Sequence, residues 1–130
     1  MTAAPDPFAA IAAGREPAHV VAADRHHVAF LAPRPHRAGH VVVATRAVVD
    51  GVFDLDADRH AALWAFVREV ARTMRARLPC ARVCVGVIGW VVRHAHVHLV
   101  PTDAPGQVPG FDGAPLAADD AERLAARLRA

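Results

Sequence analysis

The stretch RHAHVHLVP, residues 93–101, places three histidines at alternate positions of an apolar run. Alternate residues of a β-strand share one face, so His94, His96 and His98 would lie on the same side of a sheet, about 6.8 Å from one to the next. The small and apolar residues between them would face the opposite side and pack on a core. The stretch therefore predicts a strand that presents a row of imidazoles.

The rest of the chain predicts a single α+β domain, residues 1–130. Apolar alternation and turn residues predict strands at residues 19–23, 27–32, 40–45, 82–89 and 90–100. A long helix from Asp56 to Leu78 carries apolar residues at three- and four-residue steps and stops at Pro79. Shorter helices are predicted from Phe8 to Ala13 and from Ala117 to Ala130. Five strands in this order predict a mostly antiparallel sheet.

The composition excludes several functions. The chain has no Lys, Ser, Asn or Tyr, which removes serine nucleophiles, Schiff-base lysines and the phosphate-binding lysine of nucleotide-binding loops. The net charge is only +2, and acidic and basic residues are interspersed along the chain without a basic block, so nucleic-acid binding is not indicated. No apolar run approaches the ~18 residues of a membrane span, and the N-terminus lacks a basic start. We therefore expect no membrane association, a cytoplasmic location and free thiols at Cys80 and Cys84.

Three interpretations of the histidine row compete. The first is chance, with polar residues on the open face of a sheet that happen to be histidine. The second is a metal site, in which two of the imidazoles and ligands from elsewhere bind zinc, although no H-x3-H or C-x2-C motif supplies those ligands. The third is catalysis at a phosphate, since imidazole can attack phosphorus and neighbouring N–H groups can hold the phosphoryl oxygens. The third interpretation suits the spacing best.

The row also resembles a known family. HAHVHLV, residues 94–100, resembles the signature of the histidine triad (HIT) nucleotide hydrolases and transferases. Further resemblance lies in AGREPA (13–18), VAFL (28–31) with Pro35, GHVVV (39–43), VFDL (52–55) and VGVIG (85–89). It covers about residues 5–102 and leaves 103–130 as a loop and C-terminal helix. It implies a five-stranded antiparallel sheet with one long helix, usually in a homodimer with a continuous sheet.

The resemblance implies a role for each of four histidines. His96 would be the nucleophile that attacks the α-phosphate and carries the nucleotidyl group. His94 and His98 would hold phosphate oxygens and set the charge and tautomer around His96, and His40 would support them from a neighbouring strand. A histidine at position 98 favours hydrolysis, because the family's sugar-phosphate nucleotidyltransferases tend to have Gln there. No cofactor is implied.

The substrate-binding positions depart from the family pattern. The positions that commonly form the wall of the base pocket hold Phe8, Ile11, Phe30 and Leu31, although apolar residues there are equally expected in a core. Ala32 stands where the family commonly has an Asp that holds the ribose hydroxyls, and Trp90 and Val91 replace a polar pair before the triad. Trp90 could stack on a substrate ring or pack within the fold. These departures favour either an unusual substrate or a protein that only binds.

A structural zinc ion is not expected. Many relatives have a C-x-x-C motif near the N-terminus, and those positions hold Asp6 and Ala9 here. The sequence therefore predicts a metal-free hydrolase of a nucleotidyl phosphoramidate, phosphoanhydride or related phosphate bond. The alternatives are a catalytically weak protein that binds nucleotide or another phosphate-bearing ligand, and a zinc-binding domain.

Overall fold

The computed structural model describes residues 6–108 and 113–129, which contain a five-stranded open sheet. The strands are β1 Val20–Ala23, β2 His27–Leu31, β3 Val41–Thr45, β4 Arg82–Gly86 and β5 His96–Thr102. They lie in the order β1-β2-β3-β5-β4, and every neighbouring pair is antiparallel. The predicted fold class, an α+β domain with a five-stranded antiparallel sheet, is confirmed.

Three helices accompany the sheet: α1 Pro7–Ala12, α2 Ala57–Arg77 and α3 Ala118–Arg129. Their bounds lie within a residue or two of those predicted, and side-chain caps at Asp6 and Asp56 set the starts of α1 and α2. The carboxylate of Asp56 accepts the backbone N–H of Arg59 at 2.8 Å and begins α2, as expected of an N-cap aspartate. Over the ranges that the structure describes, no helix is both long and apolar enough to cross a bilayer.

The two faces of the sheet carry separate cores. On one face, α2 buries Leu63, Val67 and Val70 against strand residues such as Val43 and Val97. On the other face, the short helix α1 buries a smaller cluster that consists of Phe8, Ile11, Val28, Phe30, Val42 and Ala44. Alternation along β3 and β5 sets Val42 opposite His98 and Ala44 opposite His96. The smaller core and the two strand histidines therefore share the face that α1 covers.

The last strand, β5, begins later in the chain than the sequence predicts. It begins at His96 rather than Trp90, so the prediction of one strand carrying all three histidines was wrong. Before His96 the chain turns to pair with the loop after β3, where the N–H of Ala95 donates to the carbonyl of Val49 at 2.7 Å. His94 therefore stands just outside the strand, and its side chain is free to take a different direction from the other two.

Candidate active site

His96 holds a fixed tautomer at the start of β5. Its side chain is buried, and its Nδ1 lies 2.5 Å from the backbone carbonyl oxygen of His94. A carbonyl oxygen can only accept a hydrogen bond, so the proton must be on Nδ1. Neutral His96 then carries its lone pair on Nε2, and among the described residues no group hydrogen-bonds to that atom. The ring thus offers an unprotonated nitrogen to a ligand.

A chain of hydrogen bonds fixes the tautomers of two further histidines. The backbone N–H of His36 donates to Nδ1 of His40 at 3.0 Å, which leaves the proton of neutral His40 on Nε2. That Nε2–H donates to Nδ1 of His98 at 3.0 Å. Neutral His98 must then carry its own proton on Nε2, where it can donate to a ligand. The ring of His98 lies 4.9 Å from the ring of His96, centroid to centroid.

His94 has a different environment from the other two triad histidines. Its side chain is fully buried, and both of its ring nitrogens lie close to oxygen atoms. Nδ1 is 2.8 Å from Oδ2 of Asp6, and Nε2 is 2.7 Å from the backbone carbonyl oxygen of Thr45. The side chain of His94 therefore bonds within the protein, and the residue reaches His96 through its main-chain carbonyl rather than through its ring.

Burial keeps the other site histidines neutral. Burial, followed by the neighbouring His96 and His40, lowers the pKa of His98 to about 4. Burial also lowers the pKa of His96, with the neighbouring His94 acting in the same direction, and burial together with His36 lowers the pKa of His40. Near pH 7 the three rings are therefore neutral, which is the state in which an imidazole nitrogen is nucleophilic.

The aromatic ring of Phe8 forms one wall beside the nucleophile candidate. It packs edge-on against the ring of His96, with centroids 4.7 Å apart, and against Phe30 at 5.3 Å. Ile11 is buried in the same cluster, and Ala32 packs against that cluster together with Ala18 and Val92. Phe8, Ile11, Phe30 and Ala32 thus lie on the face of the sheet that carries His96, and contact between them and a substrate stays a prediction.

Leu31 and Trp90 lie elsewhere. The side chain of Leu31 lines an apolar groove of about 370 Å³ with Val70 and Met74 of α2, on the opposite face from His96. Its predicted place in the wall of the triad pocket was therefore wrong, because strand alternation turns it away. Trp90 is 77% exposed in the loop after β4, and the guanidinium of Arg93 lies 5.6 Å above its ring. Stacking of Trp90 on a substrate stays a prediction.

Gly39 lets the main chain approach closely just before His40. Its φ is +91°, and a Cβ atom there would lie 3.0 Å from Cδ1 of Leu78 and 3.2 Å from Cγ of Pro101. Glycine is the residue that adopts such a φ without strain. The Gly39-His40 pair therefore joins a tight turn to the histidine that orients His98.

Sequence reasoning missed three groups that organise this site: the carboxylate of Asp6, the backbone N–H of His36 and the backbone carbonyl of Thr45. Main-chain atoms leave no signal in a residue pattern, and Asp6 is 88 residues from His94 in sequence. The one available signal was the N-cap pattern of Asp6 before Pro7, which indicates a helix start but not a contact with His94. Within residues 6–108 and 113–129, no three His, Cys, Asp or Glu side chains are grouped to hold a metal ion.

Comparison with known proteins identifies the family. The family model for the HIT domain matches residues 13–104, more than half of the chain. The chain belongs to the histidine triad (HIT) family. An HIT-like protein of Saccharolobus solfataricus is 29% identical to this HIT protein over an alignment of 100 positions, which covers 73% of this chain and 72% of the relative.

Solved structures of other HIT proteins have the same fold as this HIT protein. An HIT family protein from Bacillus anthracis superposes with a TM-score of 0.83 at 20% identity, over 98% of this chain and 97% of the other. A zinc-bound histidine triad family protein from Mycobacterium smegmatis superposes with a TM-score of 0.71 at 25% identity, over 95% of this chain and 93% of the other.

Proposed function

We propose that this HIT protein hydrolyses a nucleotidyl phosphoramidate, phosphoanhydride or related phosphate bond through a covalent intermediate on His96. Membership of the HIT family supports a nucleotide-binding or hydrolase-type function in general. The observation that carries the finer proposal is the bond from Nδ1–H of His96 to the carbonyl of His94. This bond directs the lone pair to Nε2 and holds the ring in one orientation before any substrate arrives.

The first chemical step forms a bond between Nε2 of His96 and phosphorus. The bond from phosphorus to the leaving oxygen or nitrogen breaks, and the leaving atom keeps the electron pair. An amine leaving group takes its proton from water, whereas a phosphate leaving group needs none. Nε2–H of His98 donates to a phosphoryl oxygen and stabilises the charge that develops there, in the manner of an oxyanion hole.

The second step transfers the phosphoryl centre to water. Water attacks phosphorus, the bond to Nε2 of His96 breaks, and the nitrogen recovers its lone pair while the proton of water passes to solvent. The neutral state of His96 suits both steps, since burial lowers its pKa below that of an ordinary histidine. No metal ion is needed for either step.

The first experiment combines turnover with trapping of the intermediate. Wild type and His96→Ala are given a panel of nucleoside 5′-phosphoramidates and dinucleoside polyphosphates, with His19→Ala, an exposed strand-flanking histidine, as the matched control. We expect His96→Ala to lose at least roughly a thousand-fold in kcat, as removal of a covalent nucleophile does, and His19→Ala to keep wild-type turnover. Label from a substrate radioactive at the α-phosphate should stay bound to quenched wild type and not to His96→Ala. Turnover by His96→Ala within tenfold of wild type would refute the proposal.

A second candidate function is nucleotide binding with little turnover. Ala32 favours it, because the side chain at this position packs against apolar neighbours and offers no carboxylate to a ribose. The same panel separates the two functions. Measurable nucleotide binding by calorimetry, with no product and no trapped label from any substrate, would favour the binding protein.

We also infer that the chain forms a homodimer and works in the cytoplasm. β4 is an edge strand of the sheet, and the apolar side chains of Val85, Val87 and Ile88 along and after it are exposed. An exposed apolar edge strand is suited to pairing with a second copy. Light scattering during size-exclusion chromatography would give the mass of a dimer, and Val85→Lys should reduce it to that of a monomer.

A further inference from the structure

The two carboxylate oxygens of Asp6, at the start of α1, contact different groups. Oδ1 accepts the backbone N–H of Ala9 at 2.9 Å and caps the helix, and Oδ2 lies 2.8 Å from Nδ1 of His94. Burial raises the pKa of Asp6, but the bonds from Ala9 and His94 outweigh burial and leave that pKa below its usual value. Asp6 is therefore ionised at neutral pH and can only accept hydrogen bonds.

Both ring nitrogens of His94 consequently face acceptors. Nδ1 faces the ionised carboxylate of Asp6, and Nε2 faces the main-chain carbonyl oxygen of Thr45 at 2.7 Å. Neutral imidazole has one N–H, so it could satisfy only one of these oxygens and would leave a repulsive contact at the other. The imidazolium satisfies both. The geometry of this fully buried ring therefore favours the imidazolium form.

The same two residues hold His96 from two sides. The carbonyl of His94 accepts Nδ1–H of His96, so the position of His94 sets the orientation of the nucleophile. Phe8, two residues after Asp6 in the helix that Asp6 caps, packs on the ring of His96. Displacement of Asp6 would therefore loosen both the acceptor of His96 and the apolar wall beside it.

We propose that Asp6 is a positioning residue, which keeps His94 as a buried imidazolium and through it fixes the nucleophile His96. The charge on His94 can be tested without any catalytic activity, whereas the effect on phosphoryl transfer rests on the proposed function of His96.

The test is Asp6→Asn. Asparagine caps helices as well as aspartate does, so α1 should keep its start, but the neutral amide supplies no negative charge to balance an imidazolium. The matched control is Asp24→Asn. Asp24 accepts from the ring of the buried His27 at 2.9 Å through the same Asp–His pairing, but His27 stacks on Phe66 of α2, on the other face of the sheet. Asp6→Ser provides a second uncharged cap if Asp6→Asn does not fold.

Nitrogen-15 spectra of the histidine rings report on the charge directly. At pH 7 wild type and Asp24→Asn should show both nitrogens of His94 protonated, and Asp6→Asn should show one. The hydrogen-bonded Nδ1 proton of His96 should be visible in wild type and Asp24→Asn and be shifted or lost by exchange in Asp6→Asn. These spectra need no substrate, so they decide the proposal even if the protein has no turnover.

Kinetics then measure the effect on catalysis. We expect Asp6→Asn to lower the rate of His96 labelling by roughly 10- to 100-fold with KM within about threefold, since a small misplacement of a nucleophile is costly. Asp24→Asn should keep the wild-type rate. A singly protonated His94 in wild type would overturn the charge assignment. An unshifted His96 proton, or equal rates for Asp6→Asn and Asp24→Asn, would overturn the positioning role.

Discussion

Nε2 of His40 lies 3.0 Å from Nδ1 of His98, and the N–H of His36 donates to the other nitrogen of His40. A main-chain amide cannot change its role from donor to acceptor. It therefore sets the direction of every bond in the chain, and the last member, His98, must carry its proton on Nε2 when it is neutral. A fixed loop amide thus decides the tautomer of His98, as outer partners of functional histidines commonly do.

Replacement of His40 tests this chain of bonds. His40→Ala leaves Nδ1 of His98 without its donor, so His98 can adopt either tautomer and loses part of its donation to the phosphoryl oxygen. Loss of one buried hydrogen bond costs about 1–3 kcal/mol, so we expect kcat to fall by roughly 10- to 100-fold. The measurement is steady-state turnover with a nucleoside phosphoramidate. His26→Ala, at an exposed site on the α2 side of the sheet, should leave kcat unchanged; equal losses in the two variants would contradict the role of His40.

The lowered pKa values predict how activity depends on pH. Nucleophilic attack requires neutral His96, whose pKa burial lowers below 6.5. The acid limb of kcat/KM should therefore fall at a pH below 6.5, the value at which an ordinary exposed histidine would lose its lone pair. The pH–rate profile between pH 4 and pH 9 at constant ionic strength measures it. A midpoint at or above pH 6.5 would contradict a buried neutral nucleophile.

Stability should depend on pH in the same acid range. The pKa of His98 is about 4 in the folded protein, against 6.5 for an ordinary histidine. Between those values the unfolded chain binds more protons than the folded one, so the free energy of unfolding falls as the pH drops from about 6.5 to about 4. Urea unfolding at several pH values measures this dependence. His98→Gln should flatten the slope in that window, and an unchanged slope would show that His98 does not cause it.

Gly39→Ala should destabilise the protein. The new Cβ would meet Leu78 and Pro101 at 3.0 and 3.2 Å, on a backbone with φ of +91°. Strain of this kind costs about 1–3 kcal/mol, measured as a lower free energy of unfolding in urea. The control is Gly86→Ala in β4, where a Cβ would meet no atom within 4 Å. If both variants were equally stable, the close approach at Gly39 would not matter for stability.

The two faces of the sheet predict different effects on activity for two apolar residues. Phe8→Leu keeps an apolar side chain but removes the ring that packs on His96, and we expect kcat/KM to fall by roughly threefold to tenfold. Leu31→Ala alters only the groove under α2 and should leave kcat/KM unchanged. Both are measured on one substrate at pH 7. A larger loss for Leu31→Ala than for Phe8→Leu would restore Leu31 to the wall of the site.

The sequence by itself determined the secondary-structure elements of this protein and the shared face of two of its histidines. Strand alternation, the apolar stripe of residues 56–78 and the cap at Asp56 predicted the five-stranded sheet and α2, because each depends on neighbours along the chain. The alternating histidines predicted that His96 and His98 share a face, and β5 has them on the same side.

Only the tertiary structure decided how the histidines are bonded. The start of β5 at His96 depends on the hydrogen bond from Ala95 to Val49 in the loop after β3, and the pairing of His94 with Asp6 joins residues that are 88 positions apart. The tautomers of His40 and His96 depend on main-chain atoms of His36 and His94, which every residue type possesses alike. Protonation is set by the partners that folding brings together in space, and a pattern of side chains along the chain does not record those partners.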